Sequence, residues 1–110
     1  MADFSDFEKI DIRAGIIQKV ESFERARKPS FKVWVDFGTE LGVKKTSAQI
    51  TKHYTLDNLV GKHVLGAVNI GEKNIAGFQT DFLLLGLPDA NGDIHLVDFQ
   101  EPSLIGARLC

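Results

Sequence analysis

Ile10-Asp11-Ile12-Arg13-Ala14-Gly15-Ile16-Ile17-Gln18-Lys19-Val20-Glu21 decides the fold class of this chain. Ile10, Ile12, Ala14, Ile16 and Val20 share one parity, while Asp11, Arg13, Lys19 and Glu21 share the other. That period of two belongs to a half-buried strand and not to a helix. Gly15, near its middle, predicts a bulge or bend. The first strand is therefore long and curved, with its even positions turned to the core.

Working outward, Ser5-Asp6-Phe7-Glu8 has capping-box spacing and predicts one opening turn of helix before this strand. After the loop from Ser22 to Ser30, Val33, Val35 and Phe37 alternate with Lys32, Trp34 and Asp36, which gives a second strand. Gly38-Thr39-Glu40-Leu41-Gly42 then turns the chain into Lys44-Lys45-Thr46-Ser47-Ala48-Gln49-Ile50-Thr51-Lys52. In this third strand Thr46, Ala48 and Ile50 face inward, leaving Lys45, Ser47 and Gln49 outward. Thr55 caps a short helix whose Leu56, Leu59 and Val60 have i, i+3, i+4 spacing and which stops at Gly61. His63 to Ile70 and Asp81 to Leu85 are apolar enough for buried strands. Ile94 to Val97 follows the turn Pro88-Asp89-Ala90-Asn91-Gly92-Asp93 as a hairpin partner. This order predicts an all-β fold, a five-stranded OB barrel with a short helix between strands three and four and extra pieces at both ends. A small SH3-like barrel or an open sandwich would use similar elements.

The length of 110 residues sets one domain over residues 1–110, with no repeat, low-complexity tract or linker. No apolar run approaches the roughly 20 residues of a membrane span. Met1-Ala2-Asp3-Phe4-Ser5-Asp6 lacks the basic region and apolar stretch of a signal peptide, so the expected location is cytoplasmic. Cys110 is the only cysteine, which excludes an internal disulfide and a single-chain thiolate metal site.

Net charge is −2, with a pI near 5.9, so clustered lysines need a positional reason. OB folds bind oligonucleotides on strands two and three and on the loops joining strands one to two and four to five. Arg25, Arg27 and Lys28 fall in the first of those loops, Lys32, Lys44, Lys45 and Lys52 on or beside the two strands, and Lys73 in the second loop. Eight of the 13 basic residues thus gather at one expected face. Asp3, Asp6, Glu8, Asp11, Asp81, Asp89, Asp93, Asp98 and Glu101, nine of the 15 acidic ones, fall in terminal or later segments. Such a local field attracts phosphates even on an acidic chain. Glu21, Glu24, Asp36, Glu40 and Glu72 dilute it. Trp34, on the outward parity of strand two, could stack a base or a peptide side chain or pack at an edge, whereas Phe37, Phe78 and Phe82 read as core.

Three ordered motifs carry a family resemblance: Asp11-Ile12-Arg13-Ala14-Gly15-Ile16-Ile17, then Ser47-Ala48-Gln49-Ile50-Thr51, then Asn69 with Ile75-Ala76-Gly77-Phe78 and Leu83-Leu84-Leu85-Gly86. From Phe4 to Gly106 the chain resembles the tRNA-binding OB-domain family, which includes stand-alone proteins and C-terminal domains of methionyl-tRNA synthetases. Within it the chain is most similar to the CsaA-type secretion chaperones. The resemblance implies a homodimer that binds tRNA-like structures and, in the chaperone branch, unfolded precursor proteins or peptides bound for export. A tRNA-binding module that assists translation or aminoacylation without chaperone activity is the alternative. Carried over by position, Lys45, Ser47 and Gln49 match the ligand-facing motif, and Asn69 and Lys73 match the asparagine and basic position around the later loop. Chaperone-type relatives often have a Pro-Pro pair followed by two basic residues there, and another basic residue after Gly-Phe. This chain has Gly71-Glu72, Lys73-Asn74 and Gln79, which predicts a less basic and looser loop. Phe4, Phe7, Leu104 and Ile105 lie outside a minimal barrel and are expected at the dimer interface.

Catalysis has no sequence support. His53, His63 and His95 lack metal-ligand spacing, no nucleophile and base are paired, and the glycines do not form a phosphate loop. The expectation is a binding protein, not an enzyme, with no cofactor and no metal.

Overall fold

The computed structural model describes residues 1–110. Helix α1 (Phe4–Glu8) leads into strands β1 (Ile12–Ser22), β2 (Phe31–Asp36) and β3 (Val43–Ala48), helix α2 (Leu56–Leu59) and strand β4 (His63–Ala67). Short strands follow: β5 (Lys73–Ile75), β6 (Phe78–Thr80), β7 (Leu83–Leu84), β8 (Gly86–Pro88) and β9 (Ile94–Leu96), then a 3-10 turn at Pro102–Leu104. The main sheet is antiparallel and five-stranded, in the order β3-β2-β1-β4-β7. Its two edges approach each other: Asp81 N–H donates to the Lys45 carbonyl at 2.8 Å, and Thr46 Oγ1 donates to the Phe82 carbonyl at 2.7 Å. The result is the expected all-β, nearly closed OB-type barrel with its short helix between β3 and β4.

The long strand behaves differently from its expected pattern. Its register against β2 slips between Ile17 and Lys19, so Gln18 and Lys19 together face Trp34. The bulge is therefore at Gln18 and not at Gly15. Because one extra residue inverts the parity of everything on one side of it, Gly15 and Ile17, and not Ile12 and Ile16, face the core ahead of the bulge, while Val20 faces it afterwards. Gly15 has a packing role, since a Cβ there would lie 2.5 Å from Val35 Cγ1 and 2.9 Å from Phe37 Cδ1.

Ile17, Val33, Val35, Phe37, Ile50, Leu59, Val64 and Phe82 form the core. Phe37 and Phe82 meet edge to face with centroids 5.0 Å apart, a geometry that adds to the burial of their apolar area. Gly66 makes room for them, because its Cβ would fall within 3 Å of both rings. Thr55 caps α2 by accepting from Asn58 N–H at 3.2 Å. Only Leu59 of the expected apolar trio is buried; Leu56 and Val60 are exposed, since a helix this short presents a single side chain to the barrel.

The C-terminal segment docks on the first half of β1, beyond the reach of β2. Ala14 N–H donates to Ala107 O at 2.9 Å, Gly106 N–H to Ala14 O at 2.8 Å and Leu109 N–H to Ile12 O at 2.8 Å. Arg13 holds this end together: its guanidinium donates to Asp11 at 2.7 and 3.3 Å, to Glu40 at 3.2 Å and to Gly106 O at 3.1 Å. Helix α1 begins two residues earlier than the capping-box reading, with Asp3 at the N-cap and its N–H donating to Asp6 Oδ2 at 3.0 Å, so Ser5 is not the cap.

Candidate functional site

The outer face of β1, β2 and β3 follows from their register. Lys19 lies opposite Trp34 and Trp34 opposite Lys45, while Glu21, Lys32 and Ser47 form the next row. Alternation forces these residues outward because Val33 and Val35 point into the core. Over this face folds the β5–β6 hairpin. Phe78 packs edge-on against Trp34 at 5.8 Å and Phe23 at 5.5 Å. Lys32 Nζ sits 4.9 Å from the Phe78 ring centre and 5.1 Å from that of Phe23, Lys45 Nζ sits 5.6 Å from Phe78, and Lys19 Nζ lies 4.6 Å over Trp34. Aromatic rings thus hold the ammonium groups in place while leaving them charged.

The 71–80 segment corrects the expected loose loop. It is a hairpin whose two central residues, Ala76 (φ 49°) and Gly77 (φ 86°), are both left-handed, the mark of a type I′ turn. Asn74 Oδ1 accepts from Gly77 N–H at 3.0 Å, and Gln79 donates to Glu72, so residues that depart from the chaperone-type pattern cross-link the hairpin. Phe78 and Phe23 are the residues of this candidate face that the sequence reading missed. Phe78 was read as core, yet it belongs to the outer face.

Between the 23–30 loop, β3 and the later hairpins lies a cleft of about 1160 Å³. Arg27, Lys28 and Ser30 line one lip, Ser47 and Gln49 the β3 side, Ile75 and Ala76 the hairpin tip, and Leu83, Leu84, Leu85, Ile94 and Leu96 the far wall. Leu83 is 51% exposed and Ile75 38% exposed, so the far wall and the hairpin tip both present apolar surface to solvent beside a cationic lip.

Of the expected binding residues, Arg27, Lys28, Ser47 and Gln49 meet in the cleft, and Lys32, Trp34 and Lys45 in the adjoining ladder. Arg25 reaches the hairpin tip at Gly77, while Lys52 and Lys73 are exposed on the flanks. Asn69 is a correction. Its Oδ1 accepts from Asp11 N–H and its Nδ2 donates to Lys9 O, each at 2.8 Å, so it clamps the N-terminal segment. Arg25, Arg27, Lys28, Lys32, Lys45, Lys52 and Lys73 form no ion pair, whereas Glu21 pairs with Lys19 and Glu40 with Arg13. Two of the five carboxylates expected to dilute the field, Glu21 and Glu40, are thereby paired, Glu21 with a lysine of the ladder itself.

At the expected interface, Phe4 is 73% exposed, Phe7 and Leu104 are exposed, and Ile105 is half-buried. Arg108 Nη2 donates to Glu8 O at 2.7 Å, which ties the two termini together. His63 stacks on Phe99 and hydrogen-bonds its carbonyl through Nδ1. By contrast, His53 and His95 meet on Asp89, a cluster that sequence spacing did not reveal.

A model described as "putative tRNA binding domain" matches residues 12–108. The chain belongs to this tRNA-binding domain family. The chaperone CsaA of Picrophilus torridus is similar over the full length of both chains, with 38% identity and a TM-score of 0.93. CsaA of Bacillus anthracis shares 40% identity at a TM-score of 0.91, over all of this chain and 99% of that one. The methionine–tRNA ligase of Chlorobium phaeovibrioides is 27% identical over 109 residues, 99% of this chain but only 15% of the ligase. The chain therefore spans a small fraction of the curated ligases it matches, and what is shared is a segment the size of the binding domain. No helix is long and apolar enough to cross a membrane.

Proposed function

We propose that this chain is a non-enzymatic, export-related molecular chaperone of the tRNA-binding family. In this reading it is a cytoplasmic homodimer of one domain per chain that holds segments of unfolded precursor proteins, or tRNA, in the cleft. The observation that carries it is the pairing, within one cleft, of the unpaired Arg27–Lys28 lip with the exposed apolar side chains of Leu83 and Ile75. An unfolded segment offers apolar side chains together with free carboxylates and backbone, and both have a complement there. The likeness to the two CsaA chaperones supports the same reading.

The unpaired cations of the ladder and the family membership also favour the second reading, a tRNA-binding module in translation without client binding. A competition titration with labelled tRNA and an unfolded precursor separates the two. Lys45→Glu in the ladder should weaken tRNA binding about tenfold or more at low salt, with a steep loss as salt rises. Leu83→Asp in the wall should weaken precursor binding and leave tRNA largely unchanged. Retention of tRNA by Lys45→Glu removes the phosphate face. Failure of the wild type, at stoichiometric amounts, to slow aggregation of several unfolded clients removes the chaperone reading. Sedimentation at micromolar concentration should give twice the 12.2 kDa chain mass, and half of that mass in a Phe4→Asp, Leu104→Asp variant.

A further inference from the structure

His53 lies in the turn after β3, whereas Asp89 and His95 belong to the β8–β9 hairpin, 36 and 42 positions further along the chain. The barrel nevertheless brings the three together. Nε2 of His53 and Nε2 of His95 each lie 2.9 Å from the same oxygen, Asp89 Oδ2. The two imidazoles stand face to face with centroids 4.1 Å apart and planes 31° from parallel. Asp89 Oδ1 accepts from Asn91 N–H at 2.9 Å and Asp93 N–H at 3.1 Å, so the carboxylate is held by one oxygen and presents the other.

We propose that His53, Asp89 and His95 form a binding site for a borderline transition-metal dication of the Zn²⁺ class. The three donor atoms lie within 4.8 Å of one another. Around a tetrahedral Zn²⁺, with metal–ligand distances of about 2.0–2.1 Å, they would stand about 3.3 Å apart. Lengthening the two 2.9 Å contacts by a few tenths of an ångström brings both histidine–carboxylate distances to that spacing, and the donor atoms of the two histidines lie within 4.8 Å of each other. Two imidazoles and one carboxylate select a zinc-like ion over Mg²⁺ or Ca²⁺, which prefer oxygen shells. Each imidazole binds through its Nε2 lone pair, with its proton on Nδ1. The backbone N–H groups of Asn91 and Asp93 supply the outer shell that orients the carboxylate. The fourth position opens to solvent, because His53 and His95 are both exposed.

Such an ion joins the turn after β3 to the hairpin that carries Ile94 and Leu96, which line the cleft. It would fix the position of one cleft wall, and none of its three ligands lines the cleft, so the site stands whether the ligand of the cleft is peptide or RNA.

The full chain carrying Cys110→Ser, which removes the one thiol, is titrated with Co²⁺ and then Zn²⁺. Saturation is expected at one equivalent, with the visible absorption of low-coordinate Co²⁺ displaced by Zn²⁺ and unaffected by millimolar Mg²⁺. In the double variant His53→Gln, His95→Gln, binding should fall roughly 100-fold or more, beyond the loss of an outer-shell partner alone. No saturation at one equivalent, or unchanged binding in the double variant, overturns the site. Should the double variant not fold, histidine ¹⁵N spectra of the wild type decide. Zn²⁺ must shift Nε2 of His53 and His95 and leave His63 in place, and shifts at neither or at all three overturn it.

Discussion

The two faces of the β1–β3 sheet use the same residue class for opposite ends. Inside, Phe37 is wholly buried among Ile17, Val33, Val35 and Phe82. Outside, Phe78 is half-buried, ringed by Trp34, Phe23 and two lysine ammonium groups. A ring on the inner face excludes water and sets stability. On the outer face it orders charges that must stay accessible. The difference teaches that this surface is a built feature, since lysines placed only for solubility would have no aromatic partners holding them in rows.

The same truncation on the two faces tests this most directly. Phe37→Ala should cost about 3–5 kcal/mol in urea unfolding, because Gly15 and Gly66 leave no neighbouring side chain to fill the space. A cost below about 1 kcal/mol would mean that Phe37 does not centre the core. Phe78→Ala should cost about 1–2 kcal/mol, the loss of aromatic contacts and of partly buried area, while tRNA or peptide affinity falls with it. If stability drops as far as for Phe37 while binding is unchanged, Phe78 is core and the distinction between the faces collapses.

A smaller effect sharpens the outer face from its backbone. Ala76 holds φ 49°, which an L-residue with a Cβ adopts at a cost and which asparagine tolerates better. Ala76→Asn, giving the Asn-Gly pair that type I′ turns favour, should raise stability by about 0.5–1 kcal/mol. Amide exchange in β5 and β6 should slow. Faster exchange there would show that the hairpin is not held by this turn.

Much of this arrangement was legible from alternation. The Val33-Val35-Phe37 series, the Thr46 and Ile50 series, the Thr55 cap and the order of strands all follow from local pattern, which one strand can express by itself. Parity in β1 was not legible. Ile16 and Ile17 are equally apolar, and only the slip at Gln18, set by pairing with β2, decides which of them enters the core. Phe78 was misread for a related reason, since composition cannot tell a ring inside a barrel from one folded over its outside. Asn69 followed the family motif correctly in position, but its use as a clamp depends on Lys9 and Asp11, about 60 residues away in sequence. The His53-Asp89-His95 cluster has no local signal at all.

Charge rather than packing governs that last region, so its stability signature is the smallest and depends on pH. The hydrogen bonds from His95 and then His53 hold the Asp89 carboxyl well below the usual carboxylate range, helped by the backbone N–H groups of Asn91 and Asp93. A carboxylate whose pKa is lower folded than unfolded contributes stability that is fully present above the unfolded value near 4, and that contribution is lost as pH falls below it. Asp89→Asn should therefore be less stable than wild type in metal-free buffer at pH 7, and the gap should begin to narrow as urea unfolding is repeated from pH 5 down toward pH 3. Phe37→Ala, which removes no titrating group, should keep its deficit across the same range. A gap for Asp89→Asn that stays constant with pH would assign the residue a packing role, and would place the hairpin rim with the inner face instead of among the charged features outside.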